Sequence, residues 1–568
     1  MNLRNGILVV AGLVLVIALG TYFALRPKPL ASLVPANSLG YLEIPNIQRL
    51  SDWIQTRALL NQYLSSADAA RMNAWFEKAA GSAGLHSGIG NHVELLVMIP
   101  SASVEADQTI KINWVLLARS TWVFSKKFNW PARRLAELFS DAHSTLSEER
   151  LHGETIAVLH NELLSRTLFF AVHGGMPFIS NQRDAMAAAL DTSDGNGISI
   201  SKTPLWKENT PRCGSQSFGC GFWSGQALAN LLREFLVHNY GPFDDAGRTS
   251  AFLDAVGLGQ IRAVEFSSST QSGGIEETWQ FTEPPNATAS GTALQIFLNQ
   301  AGDGFTLLKT VPVPKDALAV KLITIKNAEA IWRALTNGIG ILTHQEAEQN
   351  RDLVIAFFEG ALGFRIDRDL LAKTSGAFIA FQINVTDKAN PKPKNDRVQK
   401  SRLGWVLAIP SKDVGGLSKV FSKVVAEDRK PSTRSVGSAT IFFSPTAAKA
   451  ARPLLEAMDQ SAAYAIWKDV LYFSTDQGAL ATALESLEAN GSMPSPTLPQ
   501  EFNLKAPYLA FSSPVADTPQ TGLHNSRRET PSLSFSQIEM TNNGFQYRRL
   551  SPCGLLCDVL DLALTESK

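Results

Sequence analysis

Residues 111–120 read KINWVLLARS and residues 402–411 read RLGWVLAIPS, so Trp114, Val115 and Leu116 return as Trp405, Val406 and Leu407, 291 positions later. Other echoes keep the same order. LVPANSLGYLEI at 33–44 matches VPKDALAVKLI at 313–323, with Pro35 and Pro314, Leu39 and Leu318, and then Trp53 and Trp332, all 279 apart. WFEKAAG matches FFEGALG at an offset of 282, and Ser180 and Leu190 match Ser474 and Leu484 at 294. The offset climbs through 279, 282, 291 and 294 without reversing. Chance identities scatter, whereas small loop insertions in a duplicated chain produce this drift. The sequence therefore predicts one architecture built twice, which suits 568 residues, because single cores stop growing at about 250–300.

Within each repeat, a Val-Pro-x-Asn/Asp opening leads to a strand and then a helix around Trp53 or Trp332, with Asn46 and Asn327 at the N-cap positions. Two long strands follow, the second carrying the Trp-Val-Leu triplet. After a helix come short hairpins turning at His173-Gly174-Gly175 and Lys468-Asp469, and an Ala-rich helix closes the unit. Strands joined by short turns imply antiparallel sheet, so the expected class is α+β with helices packed on one face. Trp114 and Trp405 are expected to face the core rather than to serve as stacking platforms for sugars. The expected layout is a short tail at 1–5, a membrane helix at 6–25, repeat 1 over 30–283, a linker over 284–312 and repeat 2 over 313–568. Repeat 1 carries an appended helix and hairpin module, which repeat 2 keeps in reduced form. EPPNATASG at 283–291 marks the linker.

Residues 6–25, GILVVAGLVLVIALGTYFAL, carry no charge. Twenty helical residues span about 30 Å, the thickness of a bilayer's hydrocarbon core. Ala18-Leu19-Gly20 would serve as a signal-peptide cleavage site, but the apolar run continues through Leu25, which favours an uncleaved anchor. Arg4 before the helix and Arg26 and Lys28 after it nearly balance, so charge leaves the orientation open. The cysteines favour export. There are four, in two close pairs, Cys213 with Cys220 and Cys553 with Cys557. Few cysteines in even number suit an oxidising compartment, and each pair is a possible local disulfide. Pairing across the repeats stays open. A four-thiolate zinc site fits poorly, because six residues separate Cys213 from Cys220 where about two to four are usual.

Lys plus Arg equals Asp plus Glu at 52 each, so no global field draws this chain to nucleic acid. None of the common metalloprotease, serine hydrolase, phosphate-loop or dinucleotide signatures occurs. The histidines are scattered. Ser418-Lys419 and Ser422-Lys423 read as a solvated helix face, and Glu77 and Glu359 read as a repeated cap or ion pair. No catalytic residue, cofactor or metal is expected. One local charge bias stands out: Lys392, Lys394, Arg397, Lys400 and Arg402, in a loop that is longer and more basic than its counterpart in repeat 1. Such a loop is either a solvated tip or a contact for lipid headgroups or an acidic partner.

The Val-Pro-x-Asn/Asp-x-Leu opening, the block FFEGALGFRIDRDLLAKTSGAFIAF at 357–381 and the closing Ser-x-x-x-x-x-Ala-x-x-Ala-Leu helix together resemble a family of bacterial envelope proteins defined as a domain of unknown function. The resemblance, to which the N-terminal anchor also contributes, spans most of residues 30–500 and implies bacterial origin and an extracytoplasmic body; with the anchor, the expected location is the bacterial inner membrane with the bulk of the chain in the periplasm. It carries no catalytic residues. The function expected is a non-enzymatic binding or scaffold protein of the envelope, partnered with the membrane through residues 6–25 and with an envelope protein or lipid. The alternative is a carrier or sensor of an apolar ligand.

Overall fold

The computed structural model describes residues 29–46, 93–120, 131–239, 245–300, 310–342, 364–385, 402–443, 462–493, 502–512 and 534–551, short gaps inside these ranges excepted, and a few positions between 352 and 360. The expected membrane segment, the Trp53 helix, Glu77, Lys392, Lys394, Arg397, Lys400, Cys553 and Cys557 lie outside the described residues. Among those described, no helix is long and apolar enough to cross a membrane. The chain divides into two compact units, Met1–Ser224 and Gly225–Lys568. The expected linker thus falls within the second unit.

The first unit is an antiparallel ladder of β1 (Gly40–Ile44), β2 (Val93–Val104), β3 (Ile110–Ser120), β4 (Ser144–Leu151), β5 (Glu154–Asn161), β6 (Arg166–His173), β7 (Met176–Ser180) and β8 (Ser217–Ser224). Its spatial order is β8-β1-β2-β3-β7-β6-β5-β4. The β6–β7 hairpin turns at Gly174 and Gly175, both at positive φ, the conformation a two-residue hairpin turn needs. Edge strand β4 exposes Glu148 and Arg150, charges that discourage pairing with another chain. Helix α1 (Ala132–Glu137) packs on β5 and β6. Helix α2 (Arg183–Asp194) stops at Gly195, whose φ of 83° is the usual left-handed C-terminal stop.

The second unit opens with α3 (Gly225–Asn239), α4 (Ala246–Val256) and the hairpin β9 (Ala263–Gln271) to β10 (Gly274–Thr282). Then come β11 (Ala319–Thr324), α5 (Ala328–Leu342), β12 (Ala377–Val385), β13 (Arg402–Pro410), α6 (Val414–Ala426), β14 (Ser432–Val436), β15 (Ala439–Phe443), β16 (Ala463–Trp467), β17 (Val470–Ser474), α7 (Gln477–Asn490) and β18 (Tyr508–Ser512). The chain closes on the hairpin β19 (Ser534–Thr541) and β20 (Gly544–Ser551). Asn327 caps α5 by accepting from the Ala330 N–H at 2.9 Å, as its position in the sequence implied.

Strands β11 to β18 take the spatial order β18-β11-β12-β13-β17-β16-β15-β14. That is the order of β1 to β8. Local details recur as well. Ser180 Oγ donates to the Trp114 carbonyl at 2.8 Å, and Ser474 Oγ donates to the Trp405 carbonyl at 2.8 Å. Isolated bridges join Pro35 to Ser199 and Pro314 to Ser492. At the hairpin matching Gly174-Gly175, Lys468 and Asp469 adopt φ of 50° and 61°. In the second unit β19 continues the sheet beyond β18, and β20, β10 and β9 follow.

Helices cover both faces of this sheet, which corrects the expectation of one face. Alternation along a strand decides which residues meet which helix. Val320, Leu322, Ile379, Phe381, Val406 and Ala408 pack with Leu480, Ala483 and Leu484 of α7. The neighbouring residue Ile409, with Leu471 and Tyr464, points the other way and packs with Leu417, Val420 and Phe421 of α6. Gly404 admits α7, because any side chain there would run into Ala479. Aligned packing of this kind buries each apolar side chain at about 1.5–3 kcal/mol.

Candidate functional site

On the α6 face of the second unit, a groove of about 350 Å³ opens beyond the strands that α6 covers. Its lining follows from register. Lys321 on β11 lies across from Ala510, and Ala319 lies across from both Gln382 and Ser512. Gln382 is opposite Trp405, and Arg549 and Tyr547 on β20 are opposite Ser536 and Ile538. All of these residues except Ile538 line the groove, and Tyr508 closes one side.

Trp405 is 41% exposed. This corrects the expectation that it faces the core; its neighbours Val406 and Gly404 take the core side instead. Trp114, its counterpart, is half-buried. The exposed Lys321 holds its ammonium 5.0 Å from the centre of the Trp405 ring, a cation–π contact that keeps a positive charge in the groove. Arg549 lies 4.0 Å from the buried carboxylate of Glu277. Gln382 is buried at the floor. The surface thus combines the rings of Trp405, Tyr508 and Tyr547 with a buried amide, serine hydroxyls and cationic heads. Flat rings stack on planar or CH-rich ligand faces, and cations take carboxylate or phosphate.

Arg402, the last of the basic cluster, begins β13 paired with Val385. The rest of the cluster falls in sequence between β12 and β13, the two strands that supply Gln382 and Trp405.

A second constellation lies in the first unit. Cys213 and Cys220 form a disulfide with Cα atoms 5.5 Å apart. Cys220 on β8 is buried and stands directly across from Glu43 on β1. The Glu43 carboxylate and both sulfurs lie within 4.8 Å of one another. Glu94 on β2 faces the same side and accepts from Arg119 Nε at 3.0 Å. Burial, reinforced by the Glu94 charge and opposed by Arg119, raises the Glu43 pKa to about 7. Sequence reading missed Glu43, although the signal was present: at the 279-residue offset of the opening strand, Glu43 aligns with Leu322.

Several of the remaining candidates have structural partners. His173 bridges Glu154 at 2.9 Å and Asp194 at 2.8 Å, pinning the end of α2 to the hairpin, while His152 pairs with Asp191. Glu359 accepts from the Ile366 N–H at 2.9 Å and lies 3.7 Å from Arg365. Lys419 and Lys423 sit on the exposed face of α6.

No family model matches the chain, and no curated protein matches it. Among solved structures it is similar to crystal form I of TP0453, with a TM-score of 0.23 and 11% identity over 45% of this chain and 79% of that one. Crystal form III of TP0453 matches at 0.24 and 12% identity, over 45% of this chain and 80% of that one.

Proposed function

We propose that this protein is a binding protein of the bacterial envelope, non-enzymatic at its groove, held in the inner membrane by residues 6–25, with a duplicated α+β body in the periplasm. The duplication is supported by the ordered sequence offsets together with the equal strand orders of β1–β8 and β11–β18. The Cys213–Cys220 disulfide suits an oxidising compartment. The observation that carries the binding reading is the groove around Trp405, Lys321 and Gln382. Its chemistry fits an acidic carbohydrate chain: ring faces stack on sugar CH faces, the amide and serines meet hydroxyls, and the cationic heads of Lys321 and Arg549 meet acid groups.

The test is tryptophan-fluorescence titration of the full-length protein in detergent with carboxylated oligosaccharides, in parallel with neutral ones and with phospholipid. Saturable binding of the acidic sugars, weakened about tenfold or more by Trp405→Ala, supports the reading. Phospholipid binding that ignores Trp405 replaces it with the carrier of an apolar ligand.

A further inference from the structure

Of the four residues meeting at the β1–β8 edge of the first unit, none is required by the ladder. At the matching ladder positions the second unit has Leu322 for Glu43, Leu509 for Cys220, Ala377 for Glu94 and Pro410 for Arg119, as the registers of the two units read out. Leu322, Leu509 and Ala377 are buried. The fold is satisfied by apolar residues there. A carboxyl group facing a core costs desolvation energy that an apolar residue does not, so the substitution calls for a reason other than packing.

The arrangement around the sulfurs supplies one. Cys213 is exposed and Cys220 is buried, so an incoming thiolate reaches Cys213 first. The carboxyl of Glu43 then lies beside the sulfur that must leave. A leaving thiolate buried in apolar surroundings is a poor leaving group unless it is protonated. We propose that Cys213, Cys220 and Glu43 form a thiol–disulfide exchange site whose substrate is a dithiol, with Glu43 as the proton donor.

The thiolate of the dithiol attacks Cys213 Sγ, the Cys213–Cys220 bond breaks, and the electron pair goes to Cys220 Sγ. That sulfur takes the Glu43 proton, directly or through one water. The second thiol of the substrate then loses its proton to solvent and attacks its own mixed-disulfide sulfur, releasing Cys213 as a thiolate that solvent protonates. The protein gains two electrons as a dithiol, the substrate leaves as a disulfide, and Glu43 regains its proton from water. Among the described residues, the ionisable groups acting on Glu43 are Glu94 from β2 and Arg119 from β3, while Cys213 and Cys220 do not titrate as long as they are joined. Glu94 and burial favour the protonated acid and Arg119 opposes it. Glu43 therefore carries its proton up to about pH 7.

The experiment follows reduction of the oxidised full-length protein by dithiothreitol across neutral pH, reading the Cys213–Cys220 pair by thiol labelling and peptide mapping. Rate constants are divided by the reagent's thiolate concentration. The wild type should lose rate above about pH 7. Glu43→Gln should be slower by about tenfold or more below that pH and show no inflection. Equal rates and profiles in the two proteins overturn the proposal. A measurement on the wild type alone guards against a misfolded variant. Acid-quenched reaction with glutathione should trap the adduct on Cys213, and an adduct on Cys220 instead overturns the order of events.

Discussion

Glu43 and Leu322 stand at the same place in two ladders of the same strand order, one against a disulfide and the other inside an apolar core. One residue earlier the exchange runs the other way. Leu42 in the first unit is half-buried, whereas its counterpart Lys321 is exposed at the groove. In the first unit, then, the core-side face is polar at the β1–β8 edge; in the second it is apolar, and the polar and aromatic residues gather on the opposite face. A single backbone tolerates both because strand side chains alternate, so each face can be specialised without disturbing the ladder.

Placing a carboxylate in the second unit is the harshest way to break this comparison. Leu322→Glu adds a buried acid with no cysteine or arginine beside it, and the urea midpoint should fall by the equivalent of about 4 kcal/mol. A small change would mean that the two positions are not environmentally distinct.

The next effect is a pH slope that arises at Glu43 in the first unit. Glu43 is raised in the folded state from 4.5 to about 7, so as pH rises the unfolded chain releases this proton first. Stability from this group is complete below about pH 4.5, declines up to about pH 7 and then levels off, a total on the order of 3 kcal/mol. Urea titrations at several pH values should show that slope in the wild type and lose it in Glu43→Gln.

Breaking the disulfide comes third. Cys220→Ser frees the loop between Cys213 and β8 and should cost about 2 kcal/mol, visible as a lower thermal midpoint. The smallest stability effect is expected at the groove. Lys321→Ala removes a cation–π contact worth below about 1 kcal/mol, so its thermal midpoint should hardly move while binding of an acidic ligand weakens. A large loss of stability would show that the groove is packing surface.

Much of this architecture was readable from residue order. The hairpin turns appeared at Gly174-Gly175 and Lys468-Asp469, Asn327 capped its helix, and the Cys213–Cys220 pair closed locally. Each depends on neighbours in sequence, where turn chemistry and loop length act directly. The side of the sheet taken by α6 and α7 was not readable. An apolar stripe shows that a helix must bury one side without saying against which face. Trp405 was misread for a related reason: an aromatic within an apolar run resembles a core residue until alternation with Val406 is resolved in space.

The sequence by itself determined that the elements are strands and amphipathic helices and where the tight turns fall, because those properties are set by spacing within a few residues. Only the tertiary structure decided what converges. Glu43 meets Cys213 and Cys220 because β1 and β8, far apart in the chain, pair in one register. Lys321, Trp405 and Arg549 share a groove because three strands drawn from 229 residues of sequence, Lys321 through Arg549, lie in one sheet. Pairing partners and register are long-range choices, made by the burial of whole faces rather than by any local pattern.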